Sequence, residues 1–344
     1  MELVVLCVVI FIFSALMTGV LRRYALAKSL LDVPNERSSH LLPTPRGGGV
    51  AIVLAFLLGT VVLWQMSLLD TGAVVGLAGA GLFVAIAGFI DDHGHVAARW
   101  RLLTHFVSAL WLLYWLGGLP PVMIFGVAFE MGWPGQVFVV FALVWLLNLF
   151  NFMDGIDGIA GAEVISVSVV AGVIIFLQTN SMSGLALHLL IAAAAAGFLL
   201  WNMPPAKIFM GDAGSGFVGL MLGGIALYST SIAPQMFWVW LILLGSFIVD
   251  ASYTLVRRLL RGDKVYRAHR SHAYQYASRK YDSHRVVMLG VLAINLFWLA
   301  PWAVAVGVED VDGLVGVCCA YTLLLWMAWY FHAGELESTD DANI

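Results

Sequence analysis

Asp91 and Asp92 stand side by side where an apolar run ends, followed by His93, His95, Arg99 and Arg101. Adjacent carboxylates repel, so such a pair is tolerable beside a cation, a metal ion or open water. Taken alone it reads as a solvated helix end. A second set, Asn148, Asn151, Asp154 and Asp157, recurs in steps of three and would form one polar stripe on a helix. Gly155 and Gly158 loosen the backbone where the acids gather. Burying two amides and two acids merely for packing is costly in a membrane, so this stripe reads as functional. A third segment runs from Pro204-Pro205 through Lys207, Phe209, Gly211 and Asp212 to Gly214-Ser215-Gly216. Glycines at a helix start bring N–H groups close to an anion, and Asp212 offers a hard oxygen ligand suited to Mg²⁺. The Gly-Lys-Ser/Thr ending of a Walker loop is missing. A plain glycine-rich helix start would account for Asp212 as a cap, but not for Lys207 and Phe209 beside it. The fourth set is a basic loop, 257–285, centred on His269-Arg270-Ser271-His272 with Tyr266, Tyr274 and Tyr276 nearby. Such a loop attracts anionic headgroups. Two histidines without an evident third ligand point to phosphate rather than zinc. Together the sets suit a Mg²⁺-held diphosphate attacked by another phosphate.

The elements that must position these residues are apolar. The chain is 61% hydrophobic and 11% charged, which excludes an ordinary soluble domain. Runs long enough to span a bilayer lie at about 3–21, 47–67, 73–90, 101–117, 135–152, 159–178, 184–201, 213–231, 236–256, 286–307 and 311–331. With eleven crossings, all 17 Lys and Arg residues fall on one side. The other side carries only acids, such as Asp70, Glu130 and the 309–312 group. Cationic loops stay cytoplasmic, so the N-terminus is expected outside and the C-terminus inside, with all four polar sets on the cytoplasmic face. The positive charges follow the first apolar run, as in a reversed anchor rather than a cleaved signal peptide. The expected architecture is an all-α polytopic membrane protein with a cytoplasm-facing cleft: one membrane domain over 1–332 and an acidic tail over 333–344, disordered from Glu335 onward. Cys7, Cys318 and Cys319 fall within spans and read as packing residues. The outer loop 118–134, rich in glycine and proline, is expected to turn sharply into a short hairpin.

The order of these motifs is similar to that of the polyprenyl-phosphate N-acetylaminosugar-1-phosphate transferases, relatives of the phospho-muramoyl-pentapeptide translocase. The matching stretches are Asp32-Val-Pro-Asn-Glu-Arg37 with His40, Pro43-Thr-Pro-Arg46-Gly-Gly, Asp91-Asp92, Asn148 to Gly158, Phe209 to Ser215, and the histidine loop. The resemblance implies ten or eleven helices around a cytoplasmic cleft in the bacterial inner membrane. It also implies transfer of a sugar 1-phosphate from a UDP-N-acetylaminosugar to undecaprenyl phosphate, with UMP released. Mg²⁺ would be the cofactor, with Mn²⁺ as its substitute. The partners would be these substrates, membrane lipids and a second copy in a homodimer; nucleic acid is not among them. By matching position, Asp212 is the principal metal ligand, joined by Asp154, and Phe209 stacks on uracil. Asp91, Asp92, Asp154 and Asp157 are the catalytic acids, Asp91 assisting the attacking phosphate. Arg46, Asn148, Asn151, Lys207, Phe209, Ser215, His269, Arg270 and His272 bind substrate.

Two departures stand out. His95 replaces the Asp or Lys often found there. The loop reads His-Arg-Ser-His-Ala-Tyr-Gln rather than the multi-histidine peptidoglycan form, closer to the branch that initiates O-antigen and other surface polysaccharides. The rival readings are a peptidoglycan-type transferase, a transporter using Asp92, Asp154 and Asp250, and a lipid-binding scaffold. Asp250 is expected to make a structural ion pair with an arginine, while Glu163 and His188 carry no assignment.

Overall fold

Inside hydrocarbon a chain must satisfy its own N–H and C=O groups, so long apolar runs become helices. The computed structural model describes residues 1–34, 42–94, 96–263 and 269–336. Arg37, His40, His95 and Tyr266 lie outside the described residues, as does the tail beyond Leu336. The helices are α1 (Glu2–Ala27), α2 (Val50–Gln65), α3 (Thr71–His93), α4 (Ala98–Trp115), α5 (Gly132–Met153), α6 (Ile159–Thr179) and α7 (Met182–Asn202). They continue as α8 (Asp212–Ile232), α9 (Met236–Leu243), α10 (Gly245–Leu260), α11 (Ala273–Tyr281), α12 (His284–Ile294), α13 (Ala300–Val308) and α14 (Gly313–Tyr330). Among the described residues eight helices, with α12 and α13 counted as one, are long and apolar enough to cross a membrane. The number is nine if α9 and α10 form one broken span. The 16-residue α2 is shorter, and α4 begins with Arg99 and Arg101.

Two short antiparallel ladders accompany the helices. Leu31–Asp32 (β1) pairs with Thr44–Pro45 (β2), and Val122–Ile124 (β3) with Val127–Phe129 (β4). The second is the hairpin expected in the 118–134 loop. It is pinned by Trp238 Nε1, which donates to the Met123 carbonyl at 2.6 Å.

The run 236–256 was expected as a single span, but it breaks at Leu244 with a 66° bend. The bend seats Gly245 against Tyr321 and Leu324. It also turns Ser246 toward the buried Glu163 carboxylate, to which Ser246 Oγ donates at 3.1 Å. Asn295 Nδ2 donates to the same carboxylate at 2.7 Å and to Ser166 Oγ at 2.9 Å. The helix widens there into one π turn, Asn295–Leu299. Glu163 therefore ties α6, α10 and the α12–α13 helix together. His188 Nδ1 donates to the Gly184 carbonyl at 2.6 Å, and its ring stacks on Trp240.

α8 is the centre of the bundle: every residue from Ala213 to Ile225 is buried. Its glycines allow this, because small residues let helix backbones approach closely. A Cβ on Gly214 would come within 2.5 Å of Gly49 Cα, and one on Gly219 within 2.7 Å of the Leu146 carbonyl. Gly88 of α3 faces the Ala213 amide just as closely. Three elements thus meet at the start of α8, where the polar motifs sit. Gly214→Val should separate them at a cost of at least about 1–3 kcal/mol. Thermal unfolding in detergent should show a clearly lowered Tm, and an unchanged Tm would contradict this packing.

Candidate active site

Backbone pairing brings the motifs together. The Phe209 N–H donates to the Pro45 carbonyl at 2.8 Å, and the Gly48 and Gly49 N–H groups donate to the Phe209 and Met210 carbonyls at 2.9 and 2.8 Å. The chain then turns at Gly211, whose φ is +76°. A side chain there would also place its Cβ 2.7 Å from Asp92 Oδ2 and 2.9 Å from the Gly47 nitrogen. Only glycine fits both the dihedral and the space.

The two adjacent acids divide their tasks. Asp92 is only 4% exposed, and its Oδ1 and Oδ2 accept the N–H groups of Asp212 (3.1 Å) and Ala213 (3.3 Å). It caps the first turn of α8 from a neighbouring helix, a placement that the unsatisfied N–H groups and the helix dipole favour. Its own carbonyl accepts Arg46 Nη2 at 2.5 Å. Asp91 points the other way. Its Oδ1 accepts the Val96 N–H at 2.9 Å and its Oδ2 meets Arg101 Nη1 at 2.6 Å. The same Arg101 nitrogen lies 3.8 Å from Asp212 Oδ2, while Asp212 Oδ1 accepts Asn151 Nδ2 at 3.1 Å. One guanidinium thus stands between two carboxylates. Sequence reasoning noticed Arg101 only as a basic flank of Asp91-Asp92, because nothing in the spacing shows that it folds back ten residues.

Asp154 caps the end of α5 and accepts no hydrogen bond from a described residue. Burial, and then the nearby Asp212, Asp157 and Asp92, push its carboxyl well above the usual range. Those neighbours place it within the same acidic group. The rest of the stripe diverges, since α5 ends at Met153. Asn148 Nδ2 donates to the Val144 carbonyl at 2.7 Å and faces His105 Nδ1 at 3.4 Å. Asp157 Oδ2 accepts the Ala206 N–H at 2.9 Å and Oδ1 lies 3.3 Å from His284 Nδ1, which ties the 204–208 turn to α12. Ser215 is buried and returns its hydroxyl to the Gly211 carbonyl at 3.1 Å. Lys207 is exposed with its ammonium 5.7 Å over the Trp201 ring.

The histidine segment reaches the cluster through α11. Asp250 accepts the Ala273 and Tyr274 N–H groups at 2.9 and 3.0 Å, and its Oδ1 lies 3.3 Å from His272 Nδ1. The partner of Asp250 is therefore a histidine and a helix start, not the arginine expected. Tyr274 donates its hydroxyl to the Phe152 carbonyl at 2.9 Å, and Gly155 leaves room for that ring. The sequence offered no signal for Tyr274 beyond its nearness to the histidines. His272 is 3% exposed, and its ring stacks with Phe152 and Tyr274. His269 is half-buried beside it, ring centroids 4.9 Å apart. Burial, with His272 and Arg258 adding to it, pushes the His269 imidazole down to about 3. At neutral pH it enters the site as an uncharged hydrogen-bonding ring. Arg270 lies between the two and lends its carbonyl to Arg279 Nη1 at 3.0 Å.

Asp91, Asp154, Asp212, Asn151, Arg46, Arg101 and the histidine segment thus occupy one end of the bundle. Among the described residues no three His, Cys, Asp or Glu side chains stand as a ready-made metal cage. Mg²⁺ does not need one, because it is commonly held by one or two carboxylates with water and substrate phosphates. Asp212 and Asp154, hard oxygen donors with lone pairs still available, fit that mode.

A family model described as glycosyl transferase family 4 matches residues 74–230. A Bacillus subtilis protein named "probable undecaprenyl-phosphate N-acetylglucosaminyl 1-phosphate transferase" is 30% identical over 308 residues, covering 86% of this chain and 84% of that protein. A Streptomyces coelicolor protein named as a glycosyltransferase is 32% identical over 335 residues, covering 95% of this chain and 73% of its own length. A phospho-N-acetylmuramoyl-pentapeptide-transferase of Streptococcus agalactiae is 29% identical over 241 residues, covering 66% of this chain and 69% of that enzyme. The chain belongs to glycosyl transferase family 4, as a membrane-embedded enzyme of the sugar-1-phosphate transferase class.

Proposed function

We propose that this enzyme moves an N-acetylaminosugar 1-phosphate from a UDP-sugar to undecaprenyl phosphate at the cytoplasmic face of the bacterial inner membrane. The observation that carries this is the meeting of Asp91, Arg101, Asp212 and Asn151 at the start of α8, with Asp154 beside them. The names of the relatives support the two substrates. The loop His269-Arg270-Ser271-His272 favours initiation of O-antigen or a related surface polysaccharide over the peptidoglycan step. In this reading the chain crosses eleven times with its N-terminus outside, the arrangement that leaves all basic loops on one side. A transporter would need polar groups along a path through the midplane. Glu163, buried inside the bundle, is held by Ser246 and Asn295 instead.

In the mechanism, the lipid phosphate approaches from the membrane and one of its oxygens attacks the sugar-bearing phosphorus. The bond from that phosphorus to the bridging oxygen breaks, and UMP leaves with the bridging oxygen. A phosphate monoester has its second pKa near ~6, so it is mostly dianionic at neutral pH. Asp91 therefore orients the nucleophile through Arg101 rather than removing a proton. Arg46 and Arg101 offset phosphate charge, and Phe209 stacks on the uracil. Asp92 holds Asp212 in place through the α8 amides. Asp212 and Asp154 would hold Mg²⁺, which when bound neutralises charge developing on the diphosphate.

Three outcomes test this. Asp212→Ala should abolish UMP release while the detergent-purified protein keeps its Tm; full activity would refute the metal role. Base–aromatic stacking is worth about 1–3 kcal/mol, so Phe209→Ala should raise KM for the UDP-sugar roughly 10-fold or more with a smaller change in kcat. An unchanged KM would remove Phe209 from the nucleotide site. Protons compete with the metal for the raised Asp154 carboxyl. A higher pH deprotonates it, so the Mg²⁺ concentration giving half-maximal rate should fall as the pH rises above the ordinary carboxylate range. The Asp154→Asn variant should lose that slope.

A further inference from the structure

The geometry points to a positioning strap at residues Ala333–Glu335, which follow the last membrane helix and hold the His269–His272 segment. The inference rests on the transferase reading for what that segment does. The Gly334 N–H donates to the Ser271 carbonyl at 2.7 Å. Ser271 in turn meets His269 Nδ1 through its hydroxyl at 2.9 Å and its N–H at 3.3 Å. The residue that orients the His269 ring is therefore itself fixed by Gly334.

The other edge of the strap is clamped to α10. Arg257 Nη1 donates to the Ala333 carbonyl at 3.2 Å, and Nη2 pairs with Glu335 Oε1 at 2.7 Å. Arg261 Nη1 donates to the Gly334 carbonyl at 2.6 Å. Ala333 is fully buried. Gly334 has φ +78°, and a Cβ there would stand 3.0 Å from Arg257 Cβ and 3.1 Å from the Thr254 carbonyl. Only glycine takes that turn without strain. His332 closes the corner with its ring 5.0 Å from Tyr276. Glu335, expected in a disordered tail, is thus part of the packed structure.

The histidine segment is consequently held from two directions. Asp250 fixes the first turn of α11, and Gly334 fixes the preceding backbone at Ser271, which forms no helix or sheet of its own. Both holds come from α10 and its C-terminal cap: Asp250 and Arg257 lie on the helix, and Arg261 follows its last residue. Gly334, Glu335 and Arg257 act as positioning residues for His269, which they reach through Ser271. Pre-organisation of this kind matters for rate because small displacements of substrate-positioning groups are costly.

The test compares full-length enzyme with chains ending at Leu336 and at His332, each also in a His269→Ala background. The readouts are kcat and KM for UMP release, Tm, and the rate at which diethyl pyrocarbonate modifies His269, followed by mass spectrometry. The chain ending at Leu336 should behave as full length. The chain ending at His332 should lose about 10-fold or more in kcat, on the scale of a misplaced positioning group, and His269 should react faster. In the His269→Ala background the same truncation should add little. An unaltered His269 reactivity and kcat, or an equal further loss in the His269→Ala background, would overturn the strap. If the chain ending at His332 does not fold, Gly334→Ala and Glu335→Gln carry the test, with the same signs expected and full kcat in both overturning it. Absence of UMP release by the full-length enzyme with every UDP-sugar would instead refute the transferase reading, and the His269 reactivity would still report on the strap.

Discussion

Everything at the polar end of this bundle depends on the carboxylate of Asp92 accepting the first two N–H groups of α8. That contact joins α3 to the central helix and sets the direction in which Asp212 leaves it. A helix start buried among neighbours leaves N–H groups that must find acceptors. A carboxylate supplied from another helix meets that need and fixes the relative register of both. Gly211 is the condition for it, because any side chain there would collide with Asp92. The site's electrostatics follow: Asp91, freed from the capping task, shares Arg101 with Asp212.

The same device appears a second time. Asp250 caps α11 as Asp92 caps α8, and both acids lie on membrane helices and reach into a neighbouring helix start. Buried carboxylates are expensive unless fully hydrogen-bonded. Here each accepts two backbone N–H groups, which do not titrate, and Asp250 is also met by Thr254 Oγ1 and His272 Nδ1. The acids that cap no helix start, Asp91, Asp154 and Asp212, are left with lone pairs or partners that a phosphate or cation could take over. The enzyme therefore separates carboxylates that build from carboxylates that are available, although they are chemically identical and, at 91–92, adjacent.

That separation marks how far the sequence could be read. The one-sided gathering of Asp91, Asp154, Asp212 and the histidines was legible, because polar groups in apolar runs are costly and their positions stand out. The glycine-rich start of α8 was legible too, since Gly211 and Gly214 announce close backbone approach. What lay hidden was orientation. Three-residue spacing suggested one stripe through Asn148, Asn151, Asp154 and Asp157, but α5 ends at Met153 and the last residue of the set turns to Ala206 and His284. Asn148 faces α4 instead. The break at Leu244 had only Gly245-Ser246 to signal it in a run long enough for one span, and the bond from Gly334 to Ser271 joins residues 63 positions apart. Periodicity reports which face a residue occupies; it does not report which of two distant partners the side chain meets.

The central claim, that the acids at the start of α8 gather a divalent cation and the nucleotide diphosphate at one point, can be tested spectroscopically. With Mn²⁺ in place of Mg²⁺, electron–nuclear double resonance on the enzyme with its UDP-sugar should show ³¹P coupling to the metal, absent in Asp212→Asn. Strong ³¹P coupling that persists in Asp212→Asn, or Mn²⁺ bound to the wild type with no phosphorus beside it, would contradict the account.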